Sequence, residues 1–153
     1  MLRKLIVIMV GLALMGGFSI ANAGEELVLR VDTHGLLDFD QHPITAVGGA
    51  AFYVSGDICE EPDLFDDCNV IGKFHCWGWL IAGGGGAVVS QEYELFDRGK
   101  IQLQGVEDGG PRAVVGGTGD FRNVRGEATG FNLSDLFAGG EFIATFKLIG
   151  AKR

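Results

Sequence analysis

Four short stretches of the chain hold residue types that do chemistry. The first, DTHGLLDFDQHP (32–43), gathers Asp32, His34, Asp38, Asp40 and His42. Histidine beside carboxylates exchanges protons near neutral pH, which makes this a candidate acid–base or metal cluster. The alternative is a solvated loop between strands. The second, EEPDLFDDCN (60–69), offers Glu60, Glu61, Asp63, Asp66 and Asp67. Calcium takes several oxygens from one loop, but the spacing is not D-x-D-x-D-G, and a charged surface loop is the plainer reading. The third is KFHCWGWLI (73–81). As a strand it places Lys73, His75, Trp77, Trp79 and Ile81 on one face and Phe74, Cys76, Gly78 and Leu80 on the other. Two tryptophans on one face suit a cavity for a flat or greasy ligand, and equally a filled core or a subunit interface.

The fourth stretch is AVVGGTGDFRNVRG (113–126), which raises the question of a phosphate loop. Such a loop runs from a strand through glycines into a helix whose N-terminus faces the anion. Here Gly119 is followed by Asp120 and Phe121 where a Walker loop needs Lys and Ser or Thr, and the aspartate would repel phosphate. The dinucleotide pattern fails too, because Arg122 stands at its third glycine. The following RGEATGF reads as a strand. The glycines instead permit a bulge or sharp turn, after which Phe121 returns to the core, with Asp120 and Arg125 placed to pair across the turn. A zinc site from Cys59, Cys68, His75 and Cys76 matches no closed ligand spacing. Neither Gly-x-Ser-x-Gly nor His-Glu-x-x-His occurs, so hydrolase and zinc-protease readings have no support.

These groups must be positioned by strands. Apolar residues alternate at Leu27, Leu29 and Val31, at Ile101 and Leu103, and at Phe142, Ala144, Phe146 and Leu148. That period of two marks half-buried strands. Asp97-Arg98-Gly99 between EYELF and KIQLQG reads as a hairpin. Further turn signals lie at 83–86 and in EDGGP (107–111). NLSDLF (132–137) has room for one helical turn capped by Ser134. Many short strands imply an all-β antiparallel barrel or sandwich, and closure into a barrel removes the exposed edges.

The N-terminus reads as an export signal. Arg3 and Lys4 precede an apolar run from Leu5 to Ile20, and Ala21-x-Ala23 supplies a cleavage pattern. Residues 1–23 are therefore set aside, leaving a single domain at 24–153. Membrane contact is expected only through this segment before cleavage. The chain's formal charge is −8, and the signal contributes +2, so the remainder carries −10. That balance argues against nucleic acid and anionic membranes as partners. Three cysteines fall in the exported part, enough for one disulfide. Cys59 with Cys68 is the favoured pair because they bracket the acidic loop, leaving Cys76 as a buried thiol.

The run GGTGDFRNVRG resembles the dirigent-protein hallmark G-G-T-G-x-F-x-x-A-R-G. Gly116, Gly117, Thr118, Gly119, Phe121, Arg125 and Gly126 match it, and Val124 replaces the alanine. Together with KIQLQG and the tail FIATFKLIG, it is also similar to the allene oxide cyclases. The resemblance covers roughly the last 60 residues. It implies an eight-stranded antiparallel β-barrel of calycin-like form, with an apolar cavity, often assembled as a homotrimer and needing neither cofactor nor metal. The cyclase's first-strand acid would align with Arg30, which speaks against that exact activity. Carried over residue by residue, the resemblance puts Arg125 at the motif arginine, with Asp120 at a variable position of the same turn and Asp32 or Asp38 as a first-strand acid.

The expectation is thus an exported barrel that binds a small hydrophobic or phenolic molecule and steers its cyclisation or coupling. Asp32, Arg125 and Asp120 are the candidate catalytic groups. Arg30, His75, Trp77, Trp79, Tyr93 and Phe121 are the candidate ligand-lining ones. The alternative is a non-catalytic carrier or an exported interaction protein.

Overall fold

The computed structural model describes residues 24–33, 51–60, 67–82, 86–130 and 140–151. The DTHGLLDFDQHP cluster beyond Thr33, most of the acidic loop, the 132–137 turn and the signal segment lie outside the described residues.

Eight strands follow in chain order. They are β1 (Glu25–Thr33), β2 (Ala51–Cys59), β3 (Val70–Leu80), β4 (Ala87–Leu95), β5 (Gly99–Glu107), β6 (Arg112–Gly117), β7 (Arg125–Thr129) and β8 (Glu141–Ile149). Each pairs antiparallel with the next, and β8 pairs with β1, closing the barrel. The all-β barrel anticipated from the alternating pattern is therefore the fold, and closure leaves no strand at an open edge.

The alternation decides which side chains face inward. Leu29 and Val31, Val54 and Ile58, Phe74 and Cys76, Ile101 and Leu103, and Phe142, Ala144, Phe146 and Leu148 are all buried in one core. The sequence fixes this register physically, since a slip of one residue would turn every apolar side chain to water. The hairpin around Asp97 forms as expected, with Glu94 opposite Lys100 and Leu95 opposite Gly99.

Antiparallel connection sorts the strand ends into two rims. Thr33, Ala51, Leu80, Ala87, Glu107, Arg112, Thr129 and Glu141 bound one rim. Glu25, Cys59, Val70, Leu95, Gly99, Gly117, Arg125 and Ile149 bound the other. Cys59 and Cys68 are joined by a disulfide at this second rim, and Cys76 is free and buried.

The GGTGDF segment also belongs to the second rim. The ladder between β5 and β6 shifts register after Gln102, so Val115 is an extra residue in β6, the bulge that the glycine run allows. A short 3-10 turn, Gly119–Phe121, follows. It lies on the β4–β5 hairpin: Asp120 N–H donates to Arg98 O at 2.8 Å and Thr118 N–H to Lys100 O at 2.9 Å. Gly119 has φ +60°, and a Cβ there would stand 2.3 Å from Arg98 O. The glycines serve backbone contact, not an anion.

Candidate functional site

Among the described residues the interior is apolar except for Thr33 at one rim, bonded to Gly140 O, and one polar group on β4, β5 and β6. Gln91 shares its inward parity with Val89 and Tyr93, Glu107 with Ile101 and Leu103, and Arg112 with Val114. All three polar side chains are 1–2% exposed. Gln91 Nε2 donates to Glu107 Oε1 at 2.6 Å and approaches Cys76 Sγ at 3.8 Å. Arg112 Nη1 stands 3.9 Å from the same Glu107 oxygen. Gly105 makes room for the arginine, since a Cβ there would meet Arg112 Cγ at 3.1 Å.

Three buried oxygens of this group have no hydrogen-bond partner among the described residues: Gln91 Oε1, Glu107 Oε2 and the Tyr93 hydroxyl. Such atoms are rare in folded proteins and call for a physical reason. Aromatic rings pack on Tyr93 and on one another. Tyr93 lies 4.9 Å from Phe74 and, edge-on, 4.9 Å from Phe146, while Phe142 sits edge-on to Phe74 at 5.5 Å. Burial pushes the Glu107 carboxyl up to about 7, and the nearby Arg112 charge pulls it back only in part. Burial likewise raises the Cys76 thiol and the Tyr93 phenol, so neither is a ready nucleophile. The arrangement therefore offers one carboxyl that changes charge near neutral pH inside an apolar, aromatic enclosure, the combination that general acid–base chemistry uses.

The residues singled out in the sequence fall elsewhere, with the exception of Tyr93. Tyr93 and Phe121 are fully buried. Tyr93 belongs to the polar group, whereas Phe121 lies at the second rim, with the Arg98 guanidinium 4.8 Å above its ring. His75, Trp77 and Trp79 do not line the interior. They alternate with the buried Phe74, Cys76, Gly78 and Leu80 and so point outward, Trp77 being 41% and Trp79 53% exposed. His75 Nδ1 is 2.7 Å from the Tyr53 hydroxyl on that outer face. Arg30 lies between the inward Leu29 and Val31, so it too faces out, buried beside Glu141 Oε1 at 2.5 Å.

The three expected catalytic groups are not brought together. Asp32 is on the outward parity of β1, opposite Asp57 and Glu141. Asp120 and Arg125 are at the second rim, and the pair expected between them does not form. Asp120 instead lies 3.7 Å from Arg98 Nε, and Arg125 Nη1 donates to Val124 O at 2.7 Å. The reason is local. The 3-10 turn directs Asp120 toward the β4–β5 hairpin, where Arg98 also meets Glu25 at 3.0 Å.

The sequence reading missed Gln91, Glu107 and Arg112. Read locally, Glu107 belongs to the EDGGP turn. Counting by twos from Ile101 and Leu103 reaches Glu107, and counting back from Val114 reaches Arg112, so strand parity was the signal that could have found them. Among the described residues no group of three or more histidine, cysteine or carboxylate side chains is placed to hold a metal ion.

No family model matches the chain, and no curated protein does. Solved structures do. A pyocyanin demethylase superposes with a TM-score of 0.59 at 18% identity, over 81% of this chain and 99% of its own. The pterocarpan synthase dirigent protein PsPTS1 gives a TM-score of 0.59 at 17% identity, over 87% of this chain and 98% of its own. A second pterocarpan synthase dirigent protein, GePTS1, gives 0.55 at 16%, over 85% and 86%. Resemblance at this level of identity concerns the backbone, and on that ground the chain has the closed eight-stranded barrel fold of the dirigent proteins.

Proposed function

We propose that the protein is an exported barrel that binds a small, largely apolar or aromatic molecule in its interior and steers its cyclisation or coupling. The observation that carries this reading is the buried polar group. Gln91, Tyr93 and Glu107 each keep one buried oxygen without a partner among the described residues, and aromatic rings pack on Tyr93. A bound molecule with a matching polar group would relieve that cost. Two of the structural neighbours are named for work on small molecules, pyocyanin demethylation and pterocarpan synthesis, which supports the direction of the reading. The Cys59–Cys68 disulfide supports an oxidising, extracytoplasmic setting.

In this reading the chain's own groups do the steering, and a coupling reaction takes its radicals from a separate oxidant. The rings of Phe74, Tyr93, Phe142 and Phe146 confine and orient the molecule, which lowers the entropy barrier to ring closure or coupling. Glu107 holds or releases a proton at Oε2 near neutral pH, and Arg112 steadies the carboxylate when it is charged. The assembly in this reading is a homotrimer, and the outward Tyr53, Trp77 and Trp79 supply an apolar face for a neighbouring copy.

A second reading has an observation of its own. The interior side chains pack closely enough that Tyr93, Phe74, Ile101 and Phe146 are wholly shielded from solvent. That favours a filled barrel acting as a carrier or interaction protein. Native mass spectrometry of the exported protein from its own host separates the two. The proposal expects a trimer, with a small hydrophobic molecule retained or, after incubation with one, converted. A bare chain that neither retains nor converts any such molecule supports the filled barrel.

A further inference from the structure

The outer face of β2 and β3 holds a polar pair that the interior chemistry does not use. Tyr53 Oη lies 2.7 Å from His75 Nδ1, and the two rings stand 6.1 Å apart with their planes at 20°. An exposed hydroxyl meets no burial cost that demands a protein partner, so satisfaction alone does not explain the pairing. Tyr53 is 43% exposed and has Trp77 as its direct cross-strand partner, with Trp79 two residues further along β3. A phenol gives up an electron more readily when its proton leaves at the same time, and a ring nitrogen at hydrogen-bonding distance is a base placed to take it. We infer that Tyr53 is a redox site, at which a one-electron oxidant removes an electron from the phenol while its proton passes from Oη to His75 Nδ1. This site is independent of whether a molecule binds inside the barrel.

The chain has two tyrosines, and the second lacks both features. Tyr93 is shielded from solvent inside the barrel, and its hydroxyl has no hydrogen-bond partner among the described residues. Burial pushes its phenol up, and loss of an electron there would leave a charge in an apolar interior. The surroundings of His75 favour the opposite outcome. Its Nδ1 accepts from Tyr53 when the imidazole carries its own proton on Nε2. Glu92 stands directly opposite His75 on β4, and its negative charge acts on the ring where the imidazolium forms. The other charged groups on the outer face of β2 to β5 are paired: Lys73 with Asp57, and Lys100 with Glu92 at 2.8 Å and Glu94 at 3.4 Å.

Each event passes one electron to the oxidant and leaves a neutral Tyr53 phenoxyl radical beside the His75 imidazolium, which then returns its proton to solvent. The oxidant is a high-potential metal complex, reduced by one electron, or the phenoxyl radical of another phenol, reduced to its phenolate and protonated by solvent. Where the Tyr53 radical meets a second phenoxyl radical, an ortho carbon of its ring forms the new bond. The hydrogen on that carbon leaves as a proton, which restores the aromatic ring. Trp77 and Trp79 extend the reach of the site, being 41% and 53% exposed. A hole formed on either indole lies close to a phenol whose proton has a taker, so it moves to Tyr53 without the oxidant touching that ring.

The test treats the purified exported chain with hexachloroiridate(IV), a one-electron oxidant, at about pH 8, above the usual histidine range. Rapid-freeze electron paramagnetic resonance follows the radical, and peptide mass spectrometry locates the oxidised residue. The expected species is a single tyrosine phenoxyl that forms more slowly in D2O and is lost in Tyr53→Phe. In His75→Ala its formation should slow by about a hundredfold, the low end for a positioned base, and added imidazole should restore it. A radical or an oxidation mark on Trp77, Trp79 or Tyr93 in place of Tyr53 overturns the site. So does a Tyr53 radical whose rate ignores both D2O and the loss of His75, the behaviour of an ordinary exposed phenol. The absence of any radical in the unaltered chain has the same meaning. The solvent isotope effect in the unaltered chain is decisive even if a variant does not fold.

Discussion

Glu107 is the residue whose environment departs most usefully from water. Its folded carboxyl sits near 7, against about 4.3 for an unfolded glutamate. The folded form therefore holds a proton that the unfolded form has lost. The sign follows: this group favours folding fully below about pH 4.3, and that contribution is lost as pH rises to about 7. The difference amounts to about 4 kcal/mol as an upper estimate. Chemical denaturation at a series of pH values checks it. The stability of the native chain minus that of Glu107→Gln should fall between pH 4.5 and 7.5, and a pH-independent difference would refute the assignment. Arg125 stands at the other extreme. It is exposed, far along the barrel from the polar group, and bonded to the neighbouring carbonyl of Val124. Arg125→Ala should change stability by less than about 0.5 kcal/mol and leave the binding of 2-naphthol, a phenolic probe of the interior, unaltered. Loss of binding in that variant would restore the motif arginine to the site.

Single strands were largely legible in the sequence, while the direction each face took was not. The alternation in EFIATFKLIG and KIQLQG sufficed to name inward residues, because one face was apolar throughout. In KFHCWGWLI both faces carry large apolar groups, so periodicity could not choose, and the tryptophans went outward. Glu107 was hidden for another reason. A charged residue before Asp-Gly-Gly-Pro reads locally as turn, and only its parity with Leu103 places it inside. The glycine motif was legible as a bend, although its partners were not. It packs on the β4–β5 hairpin 18 residues upstream, with Thr118 Oγ1 accepting from Lys100 N–H at 3.1 Å. Because Gly119 combines a left-handed backbone with contact to Arg98 O, Gly119→Ala should lower stability by about 2 kcal/mol or more. A thermal melt within a degree or two of the native protein would contradict that account. The disulfide closes a short loop between β2 and β3. Replacing Cys59 and Cys68 together by serine should cost about 2–3 kcal/mol on denaturant unfolding, without altering the interior.

Across the whole molecule, closure of the barrel separates two apolar environments. Inside, among the described residues, aromatic rings pack on Tyr93 beside the polar group of Gln91, Glu107 and Arg112. Outside, strand register aligns Ala51, Trp79, Val88 and Val106 in one row and Tyr53, Trp77, Ser90 and Gln104 in the next. These two rows carry no charge on a protein that is otherwise strongly acidic. The sequence announced the aromatic groups but not which environment each would occupy, because that depends on how β2 to β5 pair. A flat ligand thus has two surfaces to choose from, and the central claim is that it takes the inner one. The most direct measurement is a crystal structure of the protein grown with 2-naphthol at pH 7.5. The account predicts the naphthalene ring among Phe74, Tyr93, Phe142 and Phe146, with its hydroxyl within hydrogen-bonding distance of Glu107 Oε2 or Gln91 Oε1. Naphthol stacked only on Trp77 and Trp79, with the interior unchanged, would contradict it.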